Sequence, residues 1–374
     1  MKVVLQHLIH FFLHLLFILP VDKKKIYFVS FNGKQYSCNP KYLYEYLLKN
    51  RKNEFSYVWE FQDTSKAVLV PNAKVVKRLS FASFIQMMTA GYIVTNWGFK
   101  WYIPLRKNQI LLETWHGGGA YKKVGAASEP QKNQGGERRI NYYVSSSRKF
   151  TEVQSLSKAC PVERYIPTGM PRNDIILNDH AAVVKVIRRT YGISESDNVL
   201  LYAPTYRGKH VFKKGYSKTV EIDFEKLHSA LEKKWGGTWK IMYRSHYFDS
   251  YLSAVLPGSI IDVTNHEDMQ ELLCTADVLV TDYSSSMWDF ALTKKPCFLY
   301  FPDYVEGESE KLFYTPPKTW PFILSTTNDE LRNAIISFDE SEYVEKVIEH
   351  VKMFGSYEKG TACEQVVNIV FADK

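Results

Sequence analysis

In "DVLVTDYSSSMWDF", Asp277 to Phe290, an apolar run ends at Asp282, gives way to three consecutive serines and resumes with helical spacing. The run does not alternate polar and apolar residues, so it reads as a strand covered on both faces, as in a parallel sheet, followed by a loop and a helix. The same unit recurs on both sides. "VLLYAPT", "WKIMYRS", "SIIDVT" and "PCFLYF" form one series with it, and "KIYFVSF", "SYVWEF", "GYIVTNW", "QILLETW" and "NYYVSSS" form an earlier one. Strands of this kind alternating with helices predict an α/β chain of two Rossmann-like domains facing a cleft. We place the first at residues 21–177 and the second at 178–355, with a terminal helix at 356–374 packing back on the first.

The 374 residues are 45% hydrophobic and 15% aromatic, enough for two ordinary cores and incompatible with a disordered chain. The net charge of +8 is a modest bias that suits an acidic partner, whether nucleotide, phosphopolymer or anionic lipid. There is no GxGxxG or GxxxxGK[ST] motif and no internal repeat. Five cysteines, widely spaced and without a CxxC pair, read as reduced core thiols in a cytoplasmic protein.

Residues 1–20, "MKVVLQHLIHFFLHLLFILP", place Lys2, Gln6, His10 and His14 every fourth position, with His7 beside them, on an otherwise apolar helix ended by Pro20. A membrane span would not carry three histidines on one face, and a cleavable signal would show a small-residue site where Asp22 and Lys23 to Lys25 stand. The pattern is that of an interfacial helix on an anionic membrane, the other reading being a helix docked on the protein's own surface.

In open parallel sheets, ligands sit beyond the carboxyl ends of the strands. There the second series leaves Thr205, Tyr206, Arg207 and Lys209; then Arg244, Ser245 and His246; then Asp282, Tyr283 and Ser284 to Ser286. Taken singly, a serine before a helix is most often a cap and an arginine most often a solvated surface residue. Three such loops at neighbouring strand ends together point to a phosphate or diphosphate site. In the first series, "LLETWHGGGAYKKVG" ends a strand on His116, a proton acceptor near neutral pH, and then withdraws side chains at Gly117, Gly118 and Gly119 so that a ligand can approach the backbone. Lys122 follows, where it could hold acceptor phosphate. A His-Gly-Gly-Gly run also resembles the oxyanion loop of some esterases, but the chain has no GxSxG elbow.

In order, "IYFVSFNGKQYSCNPKYLYEYL", "ETWHGGGAYKKVG", "PTGMPRND", "YAPTYRG", "YRSH" and "DVLVTDYSSSMWDFALTKKPCFLYFPD" resemble the CDP-glycerol glycerophosphotransferase family, which builds teichoic acids and capsular polyol-phosphate polymers. The resemblance implies a glycosyltransferase B architecture on the cytoplasmic face of the cell membrane. It implies a CDP-glycerol or other CDP-polyol donor in the second domain and a lipid-linked acceptor in the first, with no role for nucleic acid. His116 becomes the general base on the acceptor hydroxyl. His246, in Arg-x-His, becomes the contact to donor phosphate. Thr205, Arg207, Arg244, Asp282, Ser284 and Ser285 line the donor, and Asn32, Gly33, Gly117, Gly118, Gly119 and Lys122 the acceptor. Two departures stand out: His-Gly-Gly-Gly replaces the common His-Gly-Thr-Pro, and Tyr247 replaces the common proline after the second histidine. No metal-ligand cluster is evident and no cofactor is required, although Asp282 leaves room for a divalent cation. The alternatives are a nucleotide-sugar glycosyltransferase of the same architecture and a non-catalytic envelope-polymer binding protein.

Overall fold

The computed structural model of the protein describes residues 2–119, 121–123, 139–205, 222–245 and 256–372. Two compact units emerge. The first comprises residues up to Ala120, Val124–Asp174 and Ser356–Lys374; the second comprises Tyr121–Lys123 and Ile175–Gly355.

The first unit is a seven-stranded, all-parallel sheet built from β1 (Asp22–Val29), β2 (Ser56–Phe61), β3 (Lys74–Lys77), β4 (Ala90–Thr95), β5 (Ile110–Glu113), β6 (Tyr142–Val144) and β7 (Tyr165–Ile166). Their order is β3-β2-β1-β4-β5-β6-β7, so the chain reverses direction across the sheet between β1 and β4. Central strands are buried along most of their length, as apolar runs without alternation require. An aromatic column, with Phe28 stacked on Trp59 at 5.2 Å and Trp59 on Phe61 at 5.6 Å, fills one face.

The second unit has six parallel strands: β8 (Asn198–Ala203), β9 (Trp239–Tyr243), β10 (Ile260–Asp262), β11 (Val278–Thr281), β12 (Cys297–Tyr300) and β13 (Ile323–Ser325). The order β10-β9-β8-β11-β12-β13 again reverses beside the first strand of the series, here between β8 and β11. Both reversals create the gap at strand carboxyl ends where doubly wound sheets bind ligands. The expected strands all form. β3, β7 and β13 were not anticipated, because short edge strands bury too little to need a continuous apolar run.

The segment after Gly355 joins the first unit. Tyr357 N donates to Ser146 O, and the Asp174 carboxylate accepts from Ala362 N and Cys363 N at the start of the helix Ala362–Val370. All five cysteines are free and buried.

The N-terminal helix, Lys2–Leu15, forms, and one side of it packs on the protein. His10 Nδ1 bonds Tyr102 O at 3.1 Å, and the His7 ring packs edge-on against Trp101 at 4.8 Å. The Arg106 guanidinium donates to the carbonyls of Leu16 and Leu19 just beyond the helix. Leu13 is buried and His10 half-buried against the protein, while His7 and His14 stay exposed. Val4, Leu8, Phe11, Phe12, Leu15 and Ile18 face solvent at 50–88% exposure. No helix among the described residues is long and apolar enough to cross a membrane.

Candidate active site

In the first unit, the loops after β1, β4 and β5 converge on one imidazole. His116 Nδ1 lies 2.7 Å from Asn96 O. A carbonyl only accepts, so Nδ1 carries the proton and Nε2 presents its lone pair. The ring stacks on Trp97 at 4.5 Å, with Trp115 at 4.3 Å and Phe31 at 5.6 Å. Burial among these rings pushes the His116 pKa down to about 4; the bond to Asn96 opposes the shift, and the charges of Arg172 and Lys158 add to it. The sequence suggested a histidine titrating near neutrality. The structure holds one that is neutral well below it.

The backbone leading to His116 is strained and then fastened. Trp115 has φ 54, a left-handed conformation uncommon for a bulky residue. Fully buried Asn39 donates from Nδ2 to Thr114 O and Trp115 O, both at 2.9 Å, and its Oδ1 accepts from Arg172 N at 3.0 Å. Arg172 in turn donates from Nη1 to His116 O at 2.7 Å. The Glu358 carboxylate holds the turn before Arg172 by accepting from Met170 N and Asn173 Nδ2. At Gly169, φ 81, a side-chain carbon would come within 2.8 Å of that carboxylate. The "PTGMPRND" stretch thus builds a brace under His116. The sequence alone gives Asn39, Asn96, Trp97 and Arg172 no part, since their contacts join segments far apart in the chain.

The residues expected on the acceptor side separate. Phe31 N bonds Asn96 Oδ1, which brings the loop after β1 to the histidine. Asn32, at φ 57, accepts from Arg78 Nη2 through its Oδ1, so it shapes that loop. Gly33, at φ 77, lies where a side-chain carbon would sit 3.1 Å from Glu60 O. Gly118 O accepts from Ser146 Oγ, and Gly117 is buried beside it. Lys122 belongs to the second unit.

In the second unit, the reversal between β8 and β11 brings two of the three expected loops together. The Asp282 carboxylate, 1% exposed, accepts from Thr205 N at 3.0 and 3.1 Å and from Thr205 Oγ1 at 2.8 Å. Those bonds fasten the loops after β8 and β11 to one another. Ser284 Oγ accepts from Ser286 N and from Ser286 Oγ, which leaves its own hydroxyl proton free to donate outward. The helix Ser286–Ala291 that follows, with Ser285 at its cap, is six residues long, so hydroxyls and not a helix dipole carry the anion-binding character. Arg244, after β9, has the acidic side chains Asp268, Glu267 and Glu271 around it, and among the described residues its buried Nη1 makes no hydrogen bond. A buried, unpaired guanidinium nitrogen is costly unless a ligand completes it. Arg207 and His246 lie outside the described residues. No group of three or more His, Cys, Asp and Glu side chains that could hold a metal ion occurs among the described residues.

Comparison with known proteins places this geometry. A sequence profile described as CDP-glycerol:poly(glycerophosphate) glycerophosphotransferase matches residues 11–372. The teichoic acid glycerol-phosphate transferase of Staphylococcus aureus is 29% identical, covering 99% of this chain and 98% of its own. The teichoic acid poly(glycerol phosphate) polymerase of Staphylococcus epidermidis is 30% identical over 94% of this chain and 51% of its own. The chain thus spans about half the length of that relative, and of the Bacillus subtilis polymerase it also matches. A solved structure of the wall teichoic acid polymerase TagF, a variant soaked with CDPG, superposes with TM-score 0.84 at 28% identity, covering 99% of this chain and 94% of that one.

The brace predicts its own failure. Asn39→Ala removes the Nδ2 donor to Thr114 O and Trp115 O and the acceptor of Arg172 N, and should lower unfolding free energy by about 1–3 kcal/mol, read from the urea midpoint at unchanged slope. An unshifted midpoint would mean that the loop does not depend on Asn39.

Proposed function

The chain belongs to the CDP-glycerol:poly(glycerophosphate) glycerophosphotransferase family, and on that premise we propose that it transfers a polyol phosphate, most simply glycerol phosphate, from a CDP-activated donor to a hydroxyl of a membrane-linked acceptor. The observation that carries this reading is the family match across residues 11–372, which takes in every loop described above. The product is a phosphodiester of a teichoic acid or capsular polymer, and CMP is released.

The acceptor oxygen attacks the donor's β-phosphorus, the bond from that phosphorus to the bridging oxygen breaks, and CMP leaves with the electron pair. The acceptor's proton passes to His116 Nε2, the nitrogen left bare by the Nδ1 bond to Asn96. A base with a pKa of about 4 is neutral throughout the cytoplasmic range, and negative charge arriving nearby raises its affinity for the proton. The second unit is the donor side. Ser284 and Ser285 offer hydroxyls to the diphosphate, and Arg244 offers the unpaired Nη1. Thr205 and Asp282 hold the loops in place, and Arg207 and His246 join them by the family pattern. Phosphoryl transfer asks mainly for positioning and charge neutralisation, which such a set supplies. The first unit, with Gly117 to Gly119 beside His116, is the acceptor side.

The outward apolar face of the N-terminal helix supports peripheral attachment to the cytoplasmic face of the membrane, where a lipid-linked acceptor resides. Each large side chain buried in the interface contributes about 1–2 kcal/mol, and each lysine near an anionic surface about 1 kcal/mol. Lys23 and Lys24 are exposed for that purpose, whereas Lys25 donates to Thr89 Oγ1 and is turned inward. Attachment in this orientation rests mainly on aliphatic and phenyl groups, with His7 and His14 also exposed.

Two experiments test the reading. With CDP-glycerol and a lipid-linked acceptor, CMP release should be robust in the wild type and fall about 10²- to 10⁴-fold in His116→Ala, with donor affinity unchanged. Wild-type turnover in a folded His116→Ala protein would remove His116 from the chemistry, and absence of CMP release from every CDP-polyol would remove the function. In flotation with anionic vesicles, the full chain should rise with the lipid and a Phe11→Ser, Phe12→Ser, Leu15→Ser variant should remain below. Equal flotation of the two would place attachment elsewhere.

A further inference from the structure

Chain order assigns Lys122 to the glycine loop of His116, but the fold assigns it elsewhere. Residues Tyr121–Lys123 form a short piece of the second unit, pinned from several directions. Lys123 N donates to Leu312 O and Tyr314 N donates to Tyr121 O, each at 2.7 Å, so that Lys122 pairs antiparallel with Phe313. The Tyr121 ring lies flat on Trp288, 3.6 Å between centroids at 8°, and its hydroxyl bonds His350 Nε2. Trp288 sits on the helix Ser286–Ala291, directly after the serine loop. Stacking that tight, on a residue in the first turn of that helix, makes the Lys122 backbone part of the serine loop's own framework.

The side chain completes the picture. Lys122 Nζ stands 5.0 Å over the Tyr283 ring, between Asp282 and Ser284 in sequence, and within the attraction of the Asp282 carboxylate. It forms no ion pair among the described residues. Asp282 is already committed to three bonds from Thr205, so it steadies the ammonium at a distance without consuming it.

We propose that Lys122 is a donor-side residue: its ammonium contacts the diphosphate of the CDP-activated polyol held by Ser284 and Ser285, and it does not bind the acceptor. The inference rests on the donor site assigned to the second unit above. A diphosphate brings two negative charges to this loop, and more charge gathers on the leaving CMP as the bond to the β-phosphorus breaks. A fixed ammonium over Tyr283 meets both demands. The tyrosine face holds the lysine stem in one direction, as a ring beneath a cation does.

Equilibrium binding to the full chain without acceptor tests this, using CDP-glycerol and cytidine as separate probes. Lys122→Met keeps the stem over Tyr283 and removes the charge. It should weaken CDP-glycerol binding about 10- to 100-fold while leaving cytidine, which has no phosphate, within about twofold. Lys122→Arg should restore most of the loss, and Lys123→Met should bind CDP-glycerol like the wild type. Unchanged CDP-glycerol binding in Lys122→Met overturns the proposal, as does equal weakening of both probes, which would mark a structural role. A wild-type protein that fails to bind CDP-glycerol would instead overturn the donor-site reading itself, and the Lys122 assignment with it.

Discussion

Parallel strands end in peptide groups that no neighbour completes, and in each unit of this protein one buried polar side chain ties adjacent strand-end loops together. In the first unit it is Asn39, whose amide takes the carbonyls of Thr114 and Trp115 and the N–H of Arg172. In the second it is Asp282, whose carboxylate takes the N–H and hydroxyl of Thr205. Both groups are almost fully buried, where an unmade hydrogen bond costs most. Thr114, Trp115, Arg172 and Thr205 are thereby held in place before any ligand arrives. Preorganisation of this kind is what a reaction governed by positioning and charge requires.

The same economy appears around His116. Asn96 uses its side chain to hold Phe31 N and its carbonyl to hold the imidazole, so one residue sets both the loop after β1 and the tautomer of the base. Trp97, Trp115 and Phe31 then remove water from the ring faces, which is why burial dominates the fall of its pKa. Three glycines after the histidine leave the approach to it unencumbered by side chains.

Much of this could be read from the residues alone, for definable reasons. Long apolar runs such as "VLLYA" and "DVLV" announced central parallel strands, because two-sided burial leaves no polar positions. β3 and β13 escaped, being short and at the edges. His116, Thr205, Asp282 and Ser284 stood out because they follow those runs. The brace was not legible: Asn39 and Arg172 lie 133 positions apart, and nothing in local spacing reveals that one buries its amide against the other. The unit to which Lys122 belongs was hidden for a related reason. Neighbourhood in sequence suggested the glycine loop, whereas tertiary packing of Tyr121 on Trp288 carries it to the serine loop. The N-terminal helix was legible as a helix from its spacing, but a periodic stripe does not say which residues, here Leu13 and His10, meet the protein.

The central claim is that His116 is held as a neutral imidazole with its proton on Nδ1 and Nε2 unprotonated. Nitrogen-15 NMR of histidine-labelled protein, with the His116 signals identified by their loss in His116→Gln, measures this directly across pH 3.5 to 8. The structure predicts an Nδ1–H tautomer that persists through the neutral range and titrates near pH 4. An Nε2–H tautomer, or a midpoint near the ordinary value of about 6.5, would contradict it.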